Sequence, residues 1–483
     1  MVTQVPEAVR QKEGAVIDRV MISELRGLLR GPVLAPGDAS YEEARHVYNG
    51  MIERHPGAIT QCADVADVIA TVRFADARDL LVAIRGGGHN AGGLGVCDDG
   101  LVIDLSHLRG LRVDAEARAV RVEGGCVWGD VDHATHAFGM ATPSGFIAST
   151  GVGGLTLGGG SGHLTRCCGL TIDNLLEADV VLADGRLVHA SEDEEPDLFW
   201  ALRGGGGNFG VVTSFRFRLH PIDTIVGGPT LWPLDRVREV MQWYREFILD
   251  APEELNGFFA LMTVPPAPSF PQTLQGQKVG AVVWCWAGPA SRADEVFAPV
   301  KAQKPAFFGV HEMPYPALQS AFDAFYPPGL QWYWRADFIE EIPDAAIDRH
   351  LEFARRLPSA HSAMHVYPID GAAHRVDRRA TAFSHRDANW SQVIVGVDPE
   401  PTNRDKIVRW TKEYWDAVHP FGAGGGYVNF LMGDEGPDRL RAAYRDNYDR
   451  LREVKGRYDP RNRFRMNQNI PPPPEHAAAP PLG

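Results

Sequence analysis

Cysteine is scarce in this chain, and so are long runs of any one chemical kind. The 483 residues include six cysteines, Cys62, Cys97, Cys126, Cys167, Cys168 and Cys285, too few and too scattered for a disulfide framework. The vicinal pair Cys167-Cys168 lies near His163, but no CxxC and no second histidine pair accompany it, so no metal site is expected. No window of 18 or more residues is wholly apolar, which argues against a membrane-spanning helix. Residues 1–24 mix charged groups with short apolar runs; no secretory signal is evident, and a soluble, cytoplasmic protein is the expectation. Lys/Arg clusters are also missing, and the net charge is −14, so nucleic acid is not an expected partner. No internal repeat stands out.

Glycine is what the chain has in quantity, with 51 residues. Arg85-Gly86-Gly87-Gly88-His89-Asn90 follows the apolar run 80–84, and bare glycine backbone can approach a large polar ligand where a Cβ could not. Taken alone, the same six residues also suit an ordinary strand-to-loop turn. Around them the pattern predicts a strand at 58–62, a helix from Asp64 with Val65, Val68, Ile69 and Val72 on one face, and strands at 81–84 and 101–105. A hairpin over 111–123 and a helix over 127–138 follow. Residues 142–162 then form a second glycine-dense stretch, expected to be a loop. Ordering so many glycines is entropically costly, which favours a long ligand threaded past backbone N–H groups. Gly205-Gly206-Gly207-Asn208-Phe209-Gly210 matches GxGxxG literally. A dinucleotide fingerprint, however, must follow a strand and open a helix, whereas here a helix (197–202) precedes and a strand (211–217) follows.

Beyond His220-Pro221 the texture changes. Helices are predicted at 235–249, 346–357, 404–418 and 439–455, and strands at 257–264, 279–287, 331–338, 364–369 and 391–397, which suggests an α+β unit on an antiparallel sheet. Alternation places Trp332 with Trp334, and His365 with Tyr367, on common faces. These four, with His385, either line a substrate pocket or pack in a core.

The ordered set R-G-G-G-H-N, G-V-G-G-L-T-L-G-G-G-S-G, G-L-T-I-D-N-L, D-L-F-W-A-L-R-G-G-G-G-N-F-G-V-V and Y-D-P-x-N-R-F-R-x-N-Q-N-I resembles the FAD-linked oxidases of the vanillyl-alcohol-oxidase superfamily, berberine-bridge-enzyme-like branch. The resemblance covers residues from about 40 to 471. It implies a PCMH-type, two-subdomain FAD-binding domain over 1–222 (motif core about 54–222), a substrate domain at 223–422, a closing segment at 423–471 and a flexible tail at 472–483. It further implies FAD attached through its 8α-methyl carbon to His89. Arg85 and the backbone of Gly86, Gly87 and Gly88 would cradle the pyrophosphate, Gly151, Gly154, Gly158, Gly160 and Gly162 would line the flavin and its phosphates, and Asn90 and Thr150 would also bind the cofactor. Val211 and Val212 would lie on the adenine side and Asn467 and Asn469 near the isoalloxazine. Tyr427, with Asn429, matches the position of a catalytic base; a free phenol titrates near 10, so that role needs a neighbouring cation or strong donor. Many members carry a second link to a cysteine where this chain has Ile147, so a single attachment is expected. Thr150 stands where the family often places an aliphatic oxygen gate. The resemblance thus implies an oxidase acting on a CH–OH or CH–N group of a small molecule with O2 as acceptor; the alternatives are a flavin dehydrogenase using another acceptor and a flavin-bearing binding protein without turnover.

Overall fold

A computed structural model describes residues 16–474; residues 1–15 and most of the expected tail, 475–483, lie outside it. The protein is α+β, as expected, and its described residues are built on three sheets.

The first sheet has the order Val33–Leu34, Ala58–Gln61, Leu101–Asp104, Val82–Arg85, with parallel pairing about its third strand. Parallel neighbours need a crossover, supplied by the helix Val65–Ala77, whose start is capped by the Asp64 side chain. The second sheet is antiparallel, in the order Leu111–Asp114, Ala119–Glu123, Val211–Arg218, Leu175–Val181, Leu187–Ser191. Its core also takes in Leu440, Tyr444, Leu451, Val454 and Ile470, so the end of the chain packs into the same hydrophobic cluster as residues 120–219.

The third sheet has eight antiparallel strands. The five predicted ones appear at Leu255–Thr263, Lys278–Trp286, Gln331–Ile339, Ala363–Pro368 and Trp390–Asp398. Thr224–Pro233 joins them; its Gly227-Gly228-Pro229 interruption hides it from a propensity reading. One face carries Phe259, Leu261, Trp284, Met364 and Ile394 and is covered by the helices Val237–Asp250, Asp344–Ala354 and Arg404–Val418. The other face looks toward the glycine loops.

Two expectations need correction. The glycine-dense stretch is not all loop, because Val152–Gly158 forms a helix with Gly151 as its N-cap. Nor is the last helix continuous: Gly436–Tyr444 and Asn447–Tyr458 are separated at Arg445, whose φ of 46° breaks the helical path.

Buried ion pairs set the glycine-rich half against the third sheet. Arg166 holds Asp370 through two hydrogen bonds of 2.8 and 3.0 Å, and Arg386 holds Asp173 through two of 2.7 Å. Asn256 adds a bond from its side-chain amide to the Gly162 carbonyl at 3.0 Å. Bidentate arginine–carboxylate geometry fixes orientation as well as distance, so the space between the two halves has a defined shape.

Candidate active site

That space is a cavity of about 370 Å³, within the usual size of small-molecule sites. The pleat of the third sheet builds one wall. Phe258 pairs with Val283, Ala260 with His365, His365 with Val393, and Trp334 with Val395. Because residues two apart share a face, Met262, Trp332, Ala363 and Tyr367 join the same wall. The sequence pairs Trp332/Trp334 and His365/Tyr367 therefore do come together.

The two glycine loops form the opposite wall. Gly86, Gly87, Gly88, His89, Asn90, Thr150, Gly151 and Gly154 all line the cavity. A Cβ at Gly87 would strike the backbone nitrogen of Gly151, and one at Gly151 would strike that of Gly87. The loops touch backbone to backbone, and only glycine permits that approach. The remaining glycines have other reasons: Gly158 lies against the Asn429 side chain, Gly160 (φ +80°) against Thr171, and Gly162 against the Ser144 carbonyl. Gly158, Gly160 and Gly162 are thus absent from the lining, contrary to expectation.

His89 stacks on Tyr48, with ring centroids 3.8 Å apart, and its Nε2 lies 3.2 Å from Ser149 Oγ. Burial lowers its pKa to about 4, so the imidazole is neutral at neutral pH. Ile147 lines the same cavity. Arg85 reaches the wall too, but its buried guanidinium is bound to Asp104 at 2.7 Å and to the His46 carbonyl at 3.5 Å. Its charge is already matched, which removes the reason for giving it a pyrophosphate.

Tyr427 and Asn429 meet the glycine helix. The Tyr427 hydroxyl accepts hydrogen bonds from the Gly160 N–H and from Asn429 Nδ2, both at 2.7 Å, and Asn429 also donates to the Leu155 carbonyl at 3.1 Å. Burial pushes the phenol up to about 12, outweighing those two donors. His365 Nδ1 and the Tyr367 hydroxyl are 2.7 Å apart; burial lowers the histidine to about 4 and raises the tyrosine.

Three further residues fall elsewhere. Val212 lines the cavity, but Val211, on the other face of its strand, packs with Val68, Ile103 and Val181 between the first two sheets. His385 stacks on Phe338 at 4.2 Å and bonds through Nε2 to the Ala442 carbonyl at 3.0 Å, away from the cavity. Asn467 lines the cavity and Asn469 does not. In an irregular segment, no period tells which of two asparagines turns inward. Conversely, Tyr48, Phe146, Tyr326, His361, Phe430 and Tyr444 line the cavity without having been singled out in the sequence. Only Phe430 carries a signal, three residues beyond Tyr427; the others arrive from distant loops and strands.

The cavity suits a large ligand with polar edges. Among the described residues, Ser161 Oγ, Asn467 Oδ1 and the Tyr444 hydroxyl line it, buried and without hydrogen-bond partners, and Gly154 and Gly207 face open space where a side chain would stand. Leaving such atoms unpaired is costly, and a cofactor bearing phosphates, ribitol and an isoalloxazine edge would supply the missing partners.

Comparison with known proteins gives the class. Residues 56–191 match the family described as FAD binding domain, and residues 426–471 the one described as Berberine and berberine like; the protein is a flavin-dependent oxidoreductase. An FAD-linked oxidoreductase of Dictyostelium discoideum is 30% identical over 463 residues, covering 94% of this chain and 97% of that protein. The crystal structure of 6-hydroxy-D-nicotine oxidase from Arthrobacter nicotinovorans superposes with a TM-score of 0.81 at 25% identity, over 92% of this chain and 98% of that one. Xylooligosaccharide oxidase from Myceliophthora thermophila shares the fold, with a TM-score of 0.81 at 24% identity over 94% and 99% of the two chains. The chain belongs to the vanillyl-alcohol-oxidase superfamily of FAD-linked oxidoreductases, in its berberine-bridge-enzyme-like branch.

Proposed function

We propose that the protein is an oxidase carrying FAD on a single covalent link to His89, and that it oxidises a CH–OH or CH–N group of a small molecule with O2 as acceptor. The observation that carries this reading is His89 itself: a neutral imidazole on the cavity wall, oriented by Tyr48 and Ser149. The backbone of Gly86–Gly88, Asn90, Gly151 and Gly154 would hold the cofactor's phosphates and ribitol, with Val212, Ser161 and Asn467 completing the bed. Ile147 offers no thiol for a second bond.

Bound FAD supplies a hydride acceptor. The chain must then orient the substrate, exclude water and manage the O–H or N–H proton. Tyr427 is protonated at neutral pH, so its hydroxyl acts as a donor into the site, aimed by Gly160 and Asn429. The hydrogen-bonded Tyr367–His365 pair offers the substrate proton an acceptor of neutral charge.

Acid precipitation tests the attachment. Yellow colour stays with the pellet if the link exists and leaves with the supernatant if it does not; His89→Ala releases it. A single flavin mass on one proteolytic peptide, the one containing His89, is expected. Peroxide formed per substrate oxidised, compared with reduction of an artificial dye, tests O2 as the acceptor; dye reduction without peroxide overturns that part.

A further inference from the structure

We infer that bonding of FAD to His89 is templated by residues 323–332, the segment that enters the third sheet, so that attachment follows closure of the two halves, with Asp323 and Tyr48 as its positioning residues. This rests on the His89 reading and adds what controls that link.

His89 is poorly constrained by its own segment. Gly86, Gly87 and Gly88 before it have no side chains to pack, and Gly88 takes a φ of 68°. The ring is oriented instead by Tyr48, stacked on it at 3.8 Å, and by Ser149 Oγ, 3.2 Å from Nε2.

Both of these neighbours are held from the third-sheet half. The Tyr48 hydroxyl donates to the Tyr326 carbonyl. The Gly329 N–H donates to the Tyr48 carbonyl at 2.9 Å, and the Gly50 N–H to the Leu330 carbonyl at 2.8 Å. Between them, the buried Asn49 side chain accepts the Trp332 N–H and donates to the Trp332 carbonyl, each at 3.0 Å, and donates to the Ala91 carbonyl at 2.7 Å. The Tyr48 N–H is bonded in turn to the Gly88 carbonyl at 3.1 Å. Residues 48–50 are therefore a splint between the His89 loop and residues 329–332. Ser149 is reached from the same segment, because the Asp323 carboxylate accepts the Ala148 N–H at 3.1 Å and the Ser149 N–H.

Covalent attachment is the step most sensitive to this aim. It breaks one C–H bond of the 8α-methyl group and the imidazole N–H bond and forms one N–C bond. The two protons and two electrons released pass to O2, giving hydrogen peroxide. Misplacing the nitrogen by about 1 Å costs about a hundredfold in rate. Reversible flavin binding is spread over the backbone of two glycine loops and does not depend on the imidazole's angle.

The test compares four forms of the whole chain, made in flavin-limited cells and then incubated aerobically with excess FAD. They are the wild type, Asp323→Ala, Tyr48→Phe and Tyr244→Phe. Tyr48→Phe keeps the ring on His89 and removes the hydroxyl. Tyr244→Phe is the structural control: it loses a buried bond to the Gly257 carbonyl at 2.7 Å, under the helices on the far face of the same sheet. Unbound FAD is removed at each time point, and acid precipitation separates attached flavin in the pellet from bound but unattached flavin in the supernatant. Circular dichroism follows the fold. We expect Asp323→Ala and Tyr48→Phe to bind flavin yet attach it about tenfold or more slowly than wild type, and Tyr244→Phe to attach it at the wild-type rate. Tyr48→Phe, which removes a single oxygen, keeps the test decisive if Asp323→Ala does not fold. Attachment at the wild-type rate in either folded variant overturns the inference, as does slowing of the same size in Tyr244→Phe. Release of all flavin from the wild type by acid instead removes the His89 link, and the inference with it, before any variant is compared.

Discussion

Tyr427 illustrates how one side chain's chemistry depends on its surroundings. Two donors converge on its oxygen, which favours the phenolate, yet burial wins and the group stays a phenol. Tyr427→Phe should lower kcat about a hundredfold, the scale of a lost proton-handling group, with flavin content unchanged in the visible spectrum. The same change strands the Gly160 N–H, a buried donor, at a cost of about 1–3 kcal/mol, so the variant should also unfold earlier in denaturant. An unchanged kcat would remove Tyr427 from the chemistry. The sequence marked Tyr427 together with Asn429, but it carried no trace of the Gly160 N–H that donates to the same oxygen.

Among elements, the glycine loops and the closing segment matter most. Gly151→Ala inserts a methyl group against the Gly87 backbone, where neither loop has a flexible side chain to yield, and overpacking of this kind costs about 1–3 kcal/mol. The expected outcome is reduced flavin loading, read as visible absorbance relative to protein, with the fold retained by circular dichroism. The closing motif is explained by its own hydrogen bonds. Lys455 Nζ, fully buried, donates to Asp459 at 2.6 Å and to the carbonyls of Asn208 and Phe464, while Asp459 accepts the N–H groups of Arg463 and Phe464. Asp459 thereby folds the turn that carries Asn467 to the cavity. Lys455→Met leaves the carboxylate buried without its counter-ion, and a loss of about 3–5 kcal/mol is expected in the unfolding free energy read from a denaturant titration. The Y-D-P-x-N-R-F spacing was legible as a motif; its lysine partner, four residues upstream of the aspartate on the preceding helix, was not.

At the scale of the whole molecule, buried histidines make the protein sensitive to acid. Burial lowers His163, His350 and His385 to about 3 and His365 to about 4. Each binds its proton more tightly in the unfolded chain, near pH 6.5, than in the folded one. Their contribution is therefore complete above pH 6.5 and is lost as pH falls from there toward 3–4. The melting temperature should drop steeply across that window, and His350→Gln, whose site is remote from the cavity and pairs with Tyr414, should flatten the drop. A melting temperature independent of pH between 6.5 and 4 would refute this.

Local pattern alone determined much of the architecture. The flavoprotein class came from the family resemblance that the ordered motifs carry, whereas alternation marked five strands of the large sheet and the shared faces of Trp332/Trp334 and His365/Tyr367, and helical spacing marked the crossover at Val65–Ala77. These are near-neighbour properties, fixed within a few residues by pleat, helical turn and the lack of a Cβ. Tertiary structure decided which groups are spent and which are free. Asp104 neutralises Arg85, Thr171 and Ser144 claim glycines expected to line the flavin, Phe338 takes His385 out of the site, and among the described residues no partner reaches the indole N–H groups of Trp332 and Trp334. Each of these depends on contacts between segments far apart in the chain, where charge and hydrogen-bonding capacity are balanced only after the halves have closed.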